Sequence, residues 1–121
     1  MTEIPLTMSP LTITGAAAAL RSGDLTSVAL TEACMAAADR LDETLGVYIK
    51  RYDSTALEAA AAADAELAAG VDKGPLHGIP IGIKDIIACL EGETTGNSVV
   101  YDPDWYAGAD APVVARLRAA G

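Results

Sequence analysis

The fold of this chain is decided by the stretch KGPLHGIPIGIKDII, which occupies residues 73–87. Isoleucines alternate there with glycines and prolines, and the run from Ile79 to Ile87 is typical of a strand buried on both faces in a parallel sheet. Gly78 and Gly82 would permit either a close approach of the backbone or unusual backbone dihedral angles. We therefore predict an α/β protein with a strand in this stretch.

The sequence before this stretch predicts mainly helix. A short helix is expected over residues 15–21, and a longer one is expected to begin at Thr26 or Ser27 and to end at Gly46. A third is expected to begin at Asp53 or Ser54 and to run to about residue 69, with Gly70 beyond its end. Residues 47–49 are β-branched or aromatic and predict a short strand. The longer helix carries an apolar stripe formed by Leu30, Cys34, Ala37, Leu41 and Leu45.

The sequence after the stretch predicts an irregular loop over residues 91–109 and then a helix over residues 113–120. Asp110 is the expected N-cap of this helix, and Pro112 fits its first turn. A helix that follows a strand usually leads to another parallel strand, and none follows here. We therefore expect the sheet to be incomplete within these residues.

The composition predicts one domain with few large core residues. The chain has 121 residues, 25 of them alanine, with one Trp and no Phe. Because alanine fills little core volume, we expect a partner or further chain to complete the core.

The charge excludes two classes of partner. With eight Lys and Arg against seventeen Asp and Glu, the formal charge is −9. We expect no nucleic acid, because phosphate binding needs a basic face, and no membrane, since an anionic surface would repel the chain. The sequence shows no signal peptide and no membrane-spanning run, which predicts a cytoplasmic protein. Cys34 and Cys89 are interpreted as buried thiols, and His77 as a loop histidine, so no metal site is expected.

Lys84 is the residue of greatest chemical interest. It follows a run predicted to be buried, and burial disfavours the ammonium form, so a lysine there can act as a neutral base. From the residues alone, the more favoured alternative is an ion pair between Lys84 and Asp85 or another acid. Asp85 itself could equally orient the backbone or serve as a plain partner charge.

Three motifs together resemble the amidase signature family. Residues 74–85 (GPLHGIPIGIKD) are similar to the segment that bears the family's catalytic lysine. Thr94-Thr95-Gly96-Asn97-Ser98 resembles its threonine-threonine-x-x-serine loop, and residues 110–121 resemble the helix that follows. Residues 20–23 and 25–27 also fit the family's N-terminal helices. The resemblance implies the N-terminal part of one amidase signature domain over residues 1–121. Residues 1–70 would be mainly helical, and residues 71–121 would hold the catalytic-lysine strand, a loop and a helix.

The family resemblance implies a Ser–cis-Ser–Lys hydrolase that cleaves small-molecule carboxylic amides without a cofactor. Lys84 matches the lysine that acts as base through a relay serine, which in turn activates the nucleophilic serine. Both serines belong to a Gly-Ser-Ser-Gly-Gly-like motif that these residues lack, so we expect them to be inactive alone. Ser98 matches the family's loop serine rather than either of these. Among the family's substrates, transamidation linked to aminoacyl-tRNA is the least expected.

An alternative is a small non-catalytic chain that retains the amidase segment structurally and docks to a partner. The candidate partners are a second copy of the chain, in a homo-oligomer, or the remainder of a longer chain.

Tyr101, Trp105 and Tyr106 are expected to cover the edge of the core rather than to line a substrate pocket.

Overall fold

The fold of residues 12–121, which a computed structural model describes, consists of four helices joined by turns and irregular segments. They are α1 (Ile13–Ser22), α2 (Ser27–Leu45), α3 (Asp53–Ala68) and α4 (Pro112–Ala119). The first eleven residues of the predicted helical part lie outside the described residues. None of these four helices is both long enough and apolar enough to cross a membrane.

The first two helices begin at threonine caps, of which the sequence predicted Thr26 and not Thr12. The Thr12 hydroxyl accepts a hydrogen bond from the Gly15 N–H at 3.0 Å, and the Thr26 hydroxyl accepts one from the Ala29 N–H at 3.1 Å. Gly46 ends α2 in the left-handed conformation, with φ 59°. These bonds satisfy N–H groups that a helix start leaves without a partner. The predicted ends of the first three helices are therefore confirmed to within about two residues.

Two predicted N-caps are wrong. Tyr52 precedes α3, and Ala111 precedes α4, and neither supplies a side-chain cap. Asp110 instead directs its carboxylate to Arg118 at 2.8 Å and to the N–H of Leu90 at 2.9 Å. A charged guanidinium competes for this carboxylate more strongly than the N–H groups of the helix do.

The core is small and lies where α1 meets the start of α2. Ala16, Leu20 and Leu30 are buried together, and Leu67 and Ile79 pack against them. The predicted apolar stripe of α2 is mostly wrong. Of its members only Leu30 is buried, whereas Cys34, Leu41 and Leu45 are exposed. The buried residues of α2 all lie in its first two turns. The rest of the apolar stripe is therefore not buried by other described residues.

The predicted sheet is not found among residues 12–121. Residues 47–49 and 79–87 form no strand, and the only β-type pairing in this part of the chain is an isolated bridge between Cys89 and Gly92. Ile81 and Ile86 are 47% and 58% exposed, so the predicted buried strand is wrong for the described residues. A strand needs a series of backbone hydrogen bonds to a neighbouring strand, and among the described residues the only backbone bond from a distant segment to these stretches runs from the Gly96 N–H to the Asp85 carbonyl oxygen.

Candidate active site

The segment that carries Lys84 is anchored to the helices through a buried histidine. The side chain of His77 is completely buried. Its Nδ1 accepts a hydrogen bond from the Lys73 N–H at 3.2 Å, so its Nε2 carries the proton and donates to Glu66 Oε2 at 2.8 Å. The pKa of Glu66 is lowered, first by Lys73 and then by His77. The expected loop histidine therefore lies in a turn but acts as a buried anchor between that turn and α3.

A second anchor joins the same turn to the start of α2. The hydroxyl of Ser27 donates to the carbonyl oxygen of Gly78 at 2.7 Å. Gly78 has φ 81°, and an added Cβ would lie 3.2 Å from the Cβ of Ser27. Both the conformation and the close approach favour glycine at this position, as the sequence predicted.

A third anchor is a guanidinium from α1. Arg21 donates from Nε and Nη2 to the two carboxylate oxygens of Asp72, at 2.8 and 2.7 Å, and from Nη2 to the carbonyl oxygen of Gly74. The pKa of Asp72 is lowered to about 2, chiefly by its hydrogen bond from Arg21. A bidentate ion pair of this kind fixes the relative orientation of the two side chains as well as the distance between them. The turn that precedes Lys84 is therefore held at residues 72, 74, 77 and 78.

Lys84 lies at the surface of the described residues. Its side chain is exposed, and no described carboxylate lies within ion-pair distance of its Nζ. The burial expected from the sequence is therefore wrong here, and so is the ion pair with Asp85. The carbonyl oxygen of Lys84 accepts a hydrogen bond from the Ile87 N–H at 2.9 Å, which places the lysine at the start of a tight turn.

Asp85 holds the loop that follows in the sequence. Its Oδ1 accepts from the Thr95 N–H at 3.2 Å, and its Oδ2 accepts from the Thr95 hydroxyl and from the Asn97 N–H, the latter at 3.1 Å. Its carbonyl oxygen also accepts from the Gly96 N–H at 3.2 Å. These bonds lower the pKa of Asp85, with the Thr95 hydroxyl as the largest cause. Of the two roles left open for Asp85, the structure shows backbone orientation.

The loop around Ser98 is a tight turn with its own local hydrogen bonds. Gly96 and Asn97 both have positive φ, 57° and 55°, as the two central residues of a type I′ turn require. The Ser98 hydroxyl accepts from the Val100 N–H at 3.1 Å and donates to the carbonyl oxygen of the same residue at 3.3 Å. In the described part of the chain, no hydrogen bond links Ser98 to Lys84.

The aromatic residues of the long loop line open grooves. Trp105 and Tyr106 meet edge to face with ring centroids 4.7 Å apart, and they are 50% and 56% exposed. Together with Ile86 they line a groove of about 280 Å³, and Tyr101 joins Trp105 in a second groove of about 370 Å³. The first of these grooves also contains the buried Ala88, so the prediction that these rings cover the core edge stays a prediction.

A cluster that the sequence did not predict lies at the other end of the loop. Cys89 donates from its thiol to Glu91 at 2.7 Å, and Arg118 joins Glu91 to Asp110 through bonds of 2.8 to 3.1 Å. Burial, and then Glu91, raise the pKa of the Cys89 thiol. Cys34 is exposed and Cys89 half-buried, so the prediction of two buried thiols is wrong. No local pattern signals this cluster, because 27 residues separate Glu91 from Arg118.

The turn at Lys84 and the loop held by Asp85 lie within a region that matches a known family. A family model described as Amidase matches residues 29–121. The "Putative amidase AmiD" of Mycobacterium tuberculosis is 42% identical over 114 residues, which are 94% of this chain and 24% of that protein.

Other relatives carry different names. A glutamyl-tRNA(Gln) amidotransferase subunit of Chloroflexus aurantiacus is 43% identical over 92% of this chain and 23% of its own length. The indoleacetamide hydrolase of Bradyrhizobium diazoefficiens is 39% identical over 87% of this chain and 20% of its own. The chain thus spans about a fifth to a quarter of the length of these relatives. On the match over residues 29–121, the chain belongs to the amidase family.

Proposed function

We propose that these residues form the N-terminal, base-bearing part of an amidase that hydrolyses carboxylic amides to a carboxylate and ammonia or an amine. Lys84 is the base, acting through a relay serine on a nucleophilic serine. Both serines lie outside the 121 residues, which are therefore inactive by themselves. The three motifs that carry the resemblance fall within the match to the family over residues 29–121, and this is the observation that carries the proposal.

The geometry around Lys84 supports this role. A base needs an amine that is not committed to another charge, and no described carboxylate pairs with Nζ. It also needs a fixed backbone, which the anchors at His77 and Gly78 supply on one side and Asp85 supplies on the other. The exposed amine can then be covered by the part of the protein that brings the serines.

The proposed substrate is a carboxylic amide, and the names of the relatives suggest three types of amide chemistry. Relatives named as an indoleacetamide hydrolase, an amidotransferase component for glutamyl-tRNA(Gln) and a putative amidase are similar to this chain to nearly the same degree. Their similarity therefore gives no reason to rank transamidation last. We propose hydrolysis of a small amide, since no basic face of the described residues offers phosphate contacts to a tRNA.

The proposal is tested on the natural gene product that carries these residues. Its intact mass is measured first, and ammonia release from indoleacetamide and from simple aliphatic amides is then followed for the native protein and for Lys84→Ala. Lys50→Ala, which removes another lysine outside the motif, is the matched control. We expect a mass several times 12.3 kDa, with activity that Lys84→Ala abolishes and Lys50→Ala keeps.

Two outcomes would contradict the proposal. A native mass near 12.3 kDa would favour the alternative of a non-catalytic chain that docks to a partner. Full activity in the Lys84→Ala protein would remove the lysine from the mechanism even if the protein is an amidase.

A further inference from the structure

We infer that Asp85 is a positioning residue for the proposed base, because it ties the Lys84 turn to the 95–97 loop through side chain and main chain at once. The inference rests on the proposed function, since it concerns how the Lys84 amine is oriented toward the relay serine. Asp85 does not touch the reacting atoms and acts only through its neighbour.

Several hydrogen bonds converge on Asp85. Four donors from three consecutive residues reach it, namely the N–H groups of Thr95, Gly96 and Asn97 and the hydroxyl of Thr95. Both carboxylate oxygens and the carbonyl oxygen are in use. A plain surface charge would make no such set of bonds. An ionised acceptor also makes stronger hydrogen bonds than a neutral one.

Few other hydrogen bonds restrain the backbone around Lys84. Among the described residues, no hydrogen-bond partner is found for the backbone N–H groups of residues 81–86. The next anchors along the chain are at Ile79, whose N–H donates to Leu76, and at Ile87, whose N–H donates to Lys84. The bonds to Asp85 are therefore the main link between the Lys84 peptide and any distant part of the described chain.

The loop that Asp85 holds contains a tight turn. Gly96 and Asn97 are both left-handed, and asparagine pays a steric cost in that conformation that glycine does not. Asp85 stabilises the turn by accepting from both of these residues. An added Cβ at Gly96 would also lie 3.6 Å from Ile86, so the loop packs closely on the Lys84 turn. Loop and turn therefore form one unit.

The expected consequence is a change in rate rather than in substrate binding. If Asp85 aims the base, loosening its bonds displaces Nζ from the relay serine, and a displacement of about 1 Å costs on the order of a hundredfold in rate. The side chain of Thr95 offers a cleaner probe than Asp85 itself. Thr95→Val removes the hydroxyl donor at nearly constant shape, whereas Thr95→Ser keeps it.

The experiment measures kcat and KM for amide hydrolysis by the natural gene product and four variants. These are Asp85→Asn, Thr95→Val, Thr95→Ser and, as a control that removes a loop charge, Asp104→Asn. Thermal melting of each variant reports folding separately. We expect kcat to fall by ten- to a hundredfold for Asp85→Asn and Thr95→Val with KM within about twofold. Thr95→Ser should restore most of the lost rate, and Asp104→Asn should behave as the native protein.

The outcomes separate this inference from the proposed function. If Lys84→Ala is inactive but Asp85→Asn and Thr95→Val keep native kcat, the inference is wrong and the proposed function stands. A rise in KM alone would also overturn it. If Asp85→Asn does not fold, the comparison of Thr95→Val with Thr95→Ser decides. If Lys84→Ala remains active, both proposals fail.

Discussion

Replacing His77 by alanine should destabilise the chain more than any single change at its surface. The imidazole is completely buried and bonds to Glu66 and to the backbone of Lys73. Truncating a buried side chain costs about 2 kcal/mol at the lower end of the usual range, and each lost hydrogen bond about 1 kcal/mol. Water can reach the Glu66 carboxylate, which is 36% exposed, so we count only one bond as lost. The expected loss is about 3 kcal/mol.

Urea unfolding followed by far-ultraviolet circular dichroism measures this loss. At a slope of about 1.5 kcal/mol per molar urea, the midpoint should fall by roughly 2 M. The same concentration of the stabilising osmolyte trimethylamine N-oxide is added to all samples, so that the unfolding midpoint of a weakly stable variant stays within the measurable range of urea concentration. His77→Gln, whose amide can still bond one partner, should lose less, and Leu41→Ala, at an exposed leucine, should lose about 0.5 kcal/mol or less. A loss below about 1 kcal/mol for His77→Ala would refute the reasoning, because it would mean that the buried imidazole contributes no more than a surface group.

Two further predictions concern close packing and pH. Gly92→Ala would place a Cβ 1.8 Å from the hydroxyl oxygen of Tyr52 and should destabilise by about 1 to 3 kcal/mol in thermal melting. Gly82→Ala should cost little, since the nearest atom to its added Cβ is 3.9 Å away, and equal losses of stability in the two variants would contradict the prediction. The folded-state pKa of Asp72 is about 2, below its ordinary 3.8, so its bond to Arg21 stabilises the fold above pH 3.8 and is lost as pH falls through 2. Asp72→Asn should make the free energy of unfolding less dependent on pH in this range. Parallel pH profiles for the native protein and the variant would contradict this prediction.

The helices could be predicted from the sequence because their signals are local. Thr26 and Gly46 mark the ends of α2 through bonds and conformations that depend on residues within one turn. Gly78 was also predictable as a close contact, although its partner, Ser27, lies 51 residues away and could not be named.

The sheet and the burial of the site could not be predicted, because both depend on distant partners. The run from Ile79 to Ile87 has the composition of a buried strand, but a strand is defined by a series of backbone bonds to a neighbouring strand, and the described residues form no such strand. The same reason explains why Lys84 is exposed. The anchoring role of Asp85 was left open in the sequence, because an adjacent lysine and aspartate are also compatible with an ion pair. Only the placement of Thr95 decided between the two.

The anchors on the two sides of Lys84 should fail in different ways when they are removed. His77 joins the turn to the helix layer through a buried contact, so its loss opens the core and should appear as lost stability. Asp85 joins the lysine to a loop that lies largely in solvent, so its loss releases little buried surface and should appear chiefly as lost rate. His77 and Asp85 share no hydrogen-bond partner. The effects of His77→Ala and Asp85→Asn on the free energy of unfolding should therefore add to within about 0.5 kcal/mol in a double-variant cycle. A strong coupling between them would mean that the helix layer and the loop position the base together rather than separately.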